Sequence, residues 1–131
     1  MKRNVLLVRM TLLAFAAFAV GSQSLRGEDN VADVSLRGTV VDMHCYVTHG
    51  IHDADHTACA NACIARGVPA GFLAEDGTLY VLFGEKPFSV KEQVKDLADV
   101  PVLLTGTPIV RGGVKGIQIK TIEKTASRGK P

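Results

Sequence analysis

The spacing of apolar residues along the chain predicts five β-strands. The first predicted strand is rich in valine and alternates in part, with Gly38 placed for a bend or a bulge. Asp76-Gly77 separates two short apolar runs and is typical of a hairpin turn. In the last strand, Ile117 and Ile119 alternate with polar residues and are expected to point inward. The predicted strands are 31–43, 71–74, 78–83, 102–110 and 115–124.

Two other segments have the composition and spacing of helices. Residues 54–66 are rich in alanine, and Asp53 or Asp55 can cap the start of a helix there. Gly67 is typical of the position just past a helix end. Residues 90–98 carry valine and leucine on one helical face and predict a second helix.

The order of these elements is strand, helix, strand, strand, helix, strand, strand. Across residues 33–124 this order resembles the OB-fold. The resemblance implies a mainly β (α+β) protein, a five-stranded OB-like barrel. It would have a helical Cys/His insert between strands 1 and 2 and a helix between strands 3 and 4. A small open α+β sheet is the alternative. Residues 31–124 are predicted to form this single OB-like domain.

The N-terminus has the pattern of a secretory signal peptide, predicted at residues 1–21. Three basic residues flank the start of a short apolar run at 11–20, and Ala-Phe-Ala at 17–19 fits a cleavage site. The sequence therefore predicts a periplasmic or secreted protein with no membrane span after cleavage, an uncleaved anchor being the alternative. A flexible lead-in is predicted at 22–30 and a tail at 125–131.

Removal of the signal peptide changes the charge of the chain. The whole sequence has a formal net charge of +2, but residues 1–21 hold three of the 15 Lys and Arg residues and none of the 13 Asp and Glu residues. The mature chain is thus nearly neutral and slightly acidic. It lacks the basic surface that polyanion binding needs, so nucleic acid is not an expected partner.

All three cysteines and all four histidines lie between His44 and Cys63. Near the end of this stretch, His52, His56, Cys59 and Cys63 are separated by four, three and four residues. On an α-helix, at roughly 100° per residue, these side chains fall within an arc of about 60°. Thiol and imidazole groups on one face are suited to a soft metal ion, copper or zinc.

A Cys₃His set is a recognised zinc arrangement, and thiolates also select copper(I). Cys45 can complete such a set from the end of the first strand. His52 is less secure as a further ligand, because a helix capped by Asp53 would begin after it. Asp42 can orient a ligand or cap a turn. The predicted ligands are Cys45, His52, His56, Cys59 and Cys63.

The spacing of Cys59 and Cys63, C-x-x-x-C, resembles the copper-binding motif of the copper-delivery proteins of cytochrome oxidase assembly and of the binuclear copper domain of oxidase subunit II. The resemblance is local and implies a cysteine pair that binds copper, with a protein partner for metal delivery. In this chain Ile64 follows the second cysteine, where those families have a histidine or a Cys-Pro step, and the histidines precede the pair.

Two readings without a bound metal stay open. A disulfide from Cys45 to Cys59 or Cys63 would stabilise the insert by about 3 kcal/mol and leave one thiol, in an OB-fold interaction module. The second reading without a metal is a thiol-redox protein, although the chain has no C-x-x-C motif. No serine or carboxylate constellation for hydrolysis is present, and no enzyme activity or oligomeric state is predicted.

Overall fold

A computed structural model describes residues 31–126. The predicted signal peptide at 1–21, the lead-in at 22–30 and most of the tail lie outside these residues. Within the described range, no helix is long and apolar enough to cross a membrane. The strands are β1 (Val34–Asp42), β2 (Ala70–Ala74), β3 (Leu79–Phe83), β4 (Pro101–Arg111) and β5 (Val114–Lys124). The helices are α1 (Met43–His49), a 3₁₀ turn (Ala54–His56), α2 (Thr57–Ala65) and α3 (Val90–Gln93).

The prediction of a mainly β chain with five strands is confirmed. The strands form one mixed sheet in the order β1-β2-β3-β5-β4, and β4 pairs with β1 to close a ring of hydrogen bonds. β3 and β5 are parallel, and all other pairs are antiparallel. Closure of the ring leaves no open edge between the first and the last strand.

The interior of the ring is apolar because alternate residues of each strand point inward. Phe72 and Leu104 are completely buried, as is Ile117, and Ile119 is nearly so, which confirms the inward positions predicted for β5. The insert contributes to this core through α2, since Ala60 and Ile64 are buried against the strands. Burial of these two residues fixes α2 on the ring, with its neighbouring positions turned toward solvent.

The glycine in β1 has a different role from the predicted one. The pairing of β1 with β2 and with β4 continues through Gly38 without a register break, so no bulge is present there. The ring has its irregularity between Thr105 and Gly106 in β4. At Gly38, the ring of Phe72 and the main chain of β2 come so close that no side chain fits.

The insert has one more helix than the sequence predicts. Asp42 ends β1 and starts α1, because its Oδ1 accepts hydrogen bonds from the main-chain N–H groups of His44 at 2.7 Å and Cys45 at 3.2 Å. Gly50 ends α1 in a left-handed conformation, with φ of 71°. As predicted, a cap by Asp53 starts the next turn, where its Oδ1 accepts from the His56 N–H at 3.1 Å.

The predicted helix at 90–98 is wrong beyond its first turn. α3 ends at Gln93, and the chain then takes left-handed conformations at Asp96 (φ 58°) and Asp99 (φ 55°), which a helix cannot contain. These turns carry Ala98 to β1, where it forms an isolated parallel bridge with Val40. The segment after α3 is therefore a turn against β1 next to the Cys/His insert.

Candidate metal centre

The centre of the Cys/His insert is the carboxylate of Asp42, at the junction of β1 and α1. Asp42 is only 1% exposed. One oxygen, Oδ1, caps α1, whereas Oδ2 is buried and accepts no hydrogen bond from a nitrogen or oxygen donor among residues 31–126. A buried carboxylate oxygen without a partner is costly, and it favours protonated or cationic neighbours.

Two of the three thiols, those of Cys45 and Cys63, lie close enough to this carboxylate for its charge to raise their pKa values. In the structure, Cys45, Cys59 and Cys63 are all free thiols; Cys59 is exposed and the other two are half-buried. Hydrogen bonding to Asp42, followed by burial and the negative charge of Asp42, raises the pKa of Cys63 to about 11. The neighbouring Cys59 thiol adds to this shift. At neutral pH the Cys63 thiol is therefore protonated.

Cys45 belongs to the same cluster. Burial is the main cause that raises its pKa above the usual value, and the carboxylate of Asp42 is the second. Cys59 and Asp99 contribute smaller electrostatic effects. The three predicted cysteine ligands therefore share one environment, although α1, which carries Cys45, and α2, which carries the other two, are separate helices.

His56 lies beside this cluster and is held by a residue that the sequence did not single out. Its Nδ1 is 2.8 Å from Oδ2 of Asp99, and the two side chains are 11% and 1% exposed. Burial raises the pKa of Asp99, and the hydrogen bond and electrostatic effect of His56 oppose that shift. Oδ1 of Asp99 is a second buried carboxylate oxygen without a hydrogen-bond partner in the described part of the chain.

The other three histidines, His44, His49 and His52, are more exposed than His56. His52 precedes the 3₁₀ turn, as the Asp53 cap predicts, and its ring packs at a tilt on Tyr46 with centroids 5.4 Å apart. Its charge lowers the pKa of Asp99, in opposition to the burial of that carboxylate. His44 and His49 contact each other edge to face at 6.1 Å.

These groups do not form a ready-made metal site. In residues 31–126, no three His, Cys, Asp or Glu side chains are grouped closely enough to hold one ion. The structure instead brings together two smaller groups, the thiols of Cys45 and Cys63 with Asp42 and the pair of His56 with Asp99. Each cysteine side chain has three staggered rotamers, so the position of its sulfur atom depends on the rotamer that it adopts.

Comparison of the chain with protein-family models, with curated protein sequences and with solved structures gave no match. The chemistry of the centre therefore has to be argued from its own residues.

No feature of the sequence indicated a role for Asp99. It lies 43 residues from its partner His56. It follows an apolar segment that reads as the end of a helix, and only the bridge between Ala98 and Val40 brings it to the insert. Asp42 was a candidate because it precedes the cluster directly, and its capping role is confirmed.

Replacement of Asp42 by asparagine is expected to lower the pKa of Cys63 from about 11 toward the ordinary value of 9.0. Asparagine keeps an oxygen that can cap α1 but removes the negative charge that disfavours the thiolate. In the wild type, the folded state holds the Cys63 proton more tightly than the unfolded state. This contribution to stability is complete below pH 9 and is lost as the pH rises toward 11. The variant should lose most of this pH dependence.

The titration can be followed through the Cβ resonances of ¹³C-labelled cysteine, which report each thiol separately. Asp53→Asn is the matched control, since it changes an exposed capping carboxylate in the same insert. A Cys63 titration that is the same in the wild type and in Asp42→Asn would contradict the assignment of the shift to Asp42.

Proposed function

We propose that this protein is an exported soft-metal-binding protein that takes copper or zinc. Cys45, Cys59 and Cys63 are the proposed thiolate ligands, His56 is the proposed imidazole ligand, and His52 lies nearby as a weaker donor. The observation that carries the proposal is the buried Asp42 carboxylate, whose negative charge acts on the free thiols of Cys45 and Cys63.

The charges of the centre support a cation as its ligand. Oδ2 of Asp42 and Oδ1 of Asp99 are both buried and accept no hydrogen bond from a nitrogen or oxygen donor in the part of the chain that the structure describes. No lysine or arginine is paired with either carboxylate in that part. A bound cation would compensate both negative charges, and it would displace the thiol protons that these charges hold in place.

The donor types support a soft ion among the possible cations. Thiolates and imidazoles favour copper(I) and zinc, whereas magnesium and calcium take oxygen ligands. The exposure of Cys59 gives an ion a path from solvent to the half-buried thiols of Cys45 and Cys63. An exchangeable ion of this kind fits a partner protein for metal delivery, which is part of the proposal.

The proposed scaffold is an OB-like barrel. Its support is the ring order β1-β2-β3-β5-β4, the parallel pairing of β3 with β5 and the position of α3 between β3 and β4. The Cys/His insert then lies between the first and second strands. OB-folds bind their ligands on the face of strands 2 and 3 and at adjoining loops, which include the loop that this insert replaces.

Metal analysis of the purified mature chain tests the proposal. The protein is prepared under reducing conditions, incubated separately with copper(I) and zinc, and freed of loose ions by dialysis before elemental analysis. One ion per chain is expected, and alkylation should modify three thiols in the metal-free protein and fewer in the loaded one. Absence of bound copper and zinc under these conditions would overturn the proposed function.

A further inference from the structure

We infer that Asp99 is a positioning residue, which holds the His56 ring so that Nε2 is the nitrogen available to the metal ion. This inference rests on the proposed function, because it specifies how one of the proposed ligands is presented. It also makes a statement about the metal-free protein that can be tested without any ion.

The first step is the assignment of the proton on the imidazole. Nδ1 of His56 lies 2.8 Å from Oδ2 of Asp99. We assign Oδ2 as the acceptor in this contact, so that Nδ1 carries the proton and donates it. In a neutral imidazole the other nitrogen, Nε2, then has a free lone pair. A hydrogen bond from the non-ligating nitrogen of a histidine to a carboxylate is a common arrangement at metal sites.

The second step is the rigidity of the acceptor. The Asp99 side chain is 1% exposed, and the main-chain N–H of Asp99 donates to the carbonyl of Val40 in β1 at 2.8 Å. The preceding N–H, that of Ala98, donates to Oδ1 of Asn61 at 3.2 Å. The turn that carries Asp99 is thus bound both to the ring of strands and to α2.

The third step is the position of Asn61, which binds the turn of Asp99 to α2. Asn61 lies in α2 between Cys59 and Cys63, and its Nδ2 also donates to the carbonyl of Thr57 at 2.9 Å. One side chain therefore connects the helix of the two thiols with the turn of Asp99. The left-handed φ of 55° at Asp99 is uncommon outside glycine, although aspartate adopts it more readily than most residues. Such a conformation persists only where the surrounding contacts fix it, which fits a positioning role.

The hydrogen-bonded carboxylate has two effects on the ligand. It selects the Nδ1–H tautomer and fixes the ring about its side-chain torsions, so less freedom is lost when an ion binds. It also makes Nε2 more basic and hence a better ligand. Loss of such a partner typically lowers metal affinity by about 10- to 100-fold.

The tautomer is measured first, on the metal-free wild-type protein, by NMR of ¹⁵N-labelled histidine. The expected result for His56 is a protonated Nδ1 and an unprotonated Nε2. A protonated Nε2 with a free Nδ1 would overturn the inference. This measurement needs no substitution, so it stands even if a variant at Asp99 does not fold.

Affinity is measured next, with zinc as the probe and the full mature chain, for the wild type, Asp99→Asn and Asp53→Asn. Asparagine can offer its NH₂ group to Nδ1 and so stabilise the tautomer with Nε2 protonated. Asp99→Asn is expected to shift the His56 tautomer and to lower zinc affinity by about 10- to 100-fold. Asp53→Asn removes the charge of an exposed carboxylate but keeps an oxygen that can cap the turn of His56, so this variant should match the wild type in both measurements.

The outcomes separate this inference from the proposed function. If the wild type binds no zinc and no copper, the proposed function fails and the inference fails with it. If the wild type binds zinc and Asp99→Asn binds it equally well, only the role of Asp99 is overturned. Loss of affinity without a change of tautomer would also contradict it, because a merely structural residue would give that result.

Discussion

Replacement of both Cys59 and Cys63 by serine is expected to abolish stoichiometric binding of copper or zinc. The two thiols lie one turn apart on α2, and the Cys59 thiol raises the pKa of Cys63 through charge and hydrogen bonding. A serine hydroxyl does not ionise near neutral pH and is a hard oxygen donor, so it is a poor ligand for a soft ion. Cys45 and His56 would remain, with His52 as a weaker donor, too few for a four-coordinate site.

The fold should survive this change, because the two cysteines face away from the core. α2 is held on the ring by Ala60 and Ile64, which are buried, while Cys59 is exposed and Cys63 half-buried. At an exposed position such as Cys59, a substitution usually changes the free energy of unfolding by less than about 0.5 kcal/mol. A loss of metal binding can therefore be assigned to the ligands and not to unfolding, once circular dichroism shows an intact fold.

The matched control is the double variant Ala58→Ser, Ala62→Ser. It introduces the same two hydroxyl groups, one turn apart on α2, at exposed positions that precede each cysteine by one residue. Elemental analysis after incubation with each metal should give one ion per chain for the control and none for the cysteine variant. Wild-type stoichiometry in the cysteine variant would contradict the assignment of these thiols as ligands.

The hydrophobic pattern was sufficient to predict the five strands. Strand alternation depends on which residues face the core, and the inward positions of Ile117 and Ile119 follow directly from it. The same reasoning failed for residues 94–98, where buried Val94 and Ala98 have helical spacing but the main chain turns at Asp96. The spacing of apolar residues indicates which residues are buried and does not by itself fix the main-chain conformation. A buried turn can therefore have the same spacing as a helix.

The sequence also predicted only part of the candidate site. The spacing of Cys59 and Cys63 indicated one helical face, because that relation is local and α2 is regular there. α1 was not predicted, since its seven residues have little helical propensity and depend on the Asp42 cap and on Gly50. The role of Asp99 could not be predicted from the sequence. Its contact with His56 spans 43 residues and depends on the closure of the ring and on the turn at Ala98.

Replacement of Gly38 by alanine is expected to lower the free energy of unfolding by about 3 kcal/mol, near the upper end of the usual cost of an overpacked core. A Cβ atom at Gly38 would lie 2.2 Å from the carbonyl oxygen of Leu73, 2.7 Å from Cζ of Phe72 and 2.9 Å from Cα of Ala74. Two of these three atoms belong to the main chain of β2, so rotation of the Phe72 ring cannot relieve the clash. β1 and β2 would have to separate where they pair.

Urea unfolding of the mature chain gives the measurement, with Ser35→Ala as the control on the same strand. Ser35 is exposed and makes one hydrogen bond, 2.7 Å to the hydroxyl of Thr105, so its loss should cost no more than about 1 kcal/mol. If Gly38→Ala were as stable as the wild type, the close approach of β1 and β2 would be wrong. The glycine would then have only the role of a bend, as the sequence pattern alone suggests. The expected loss instead makes Gly38 a requirement of ring closure, because β1 pairs with β2 on one side of this residue and with β4 on the other.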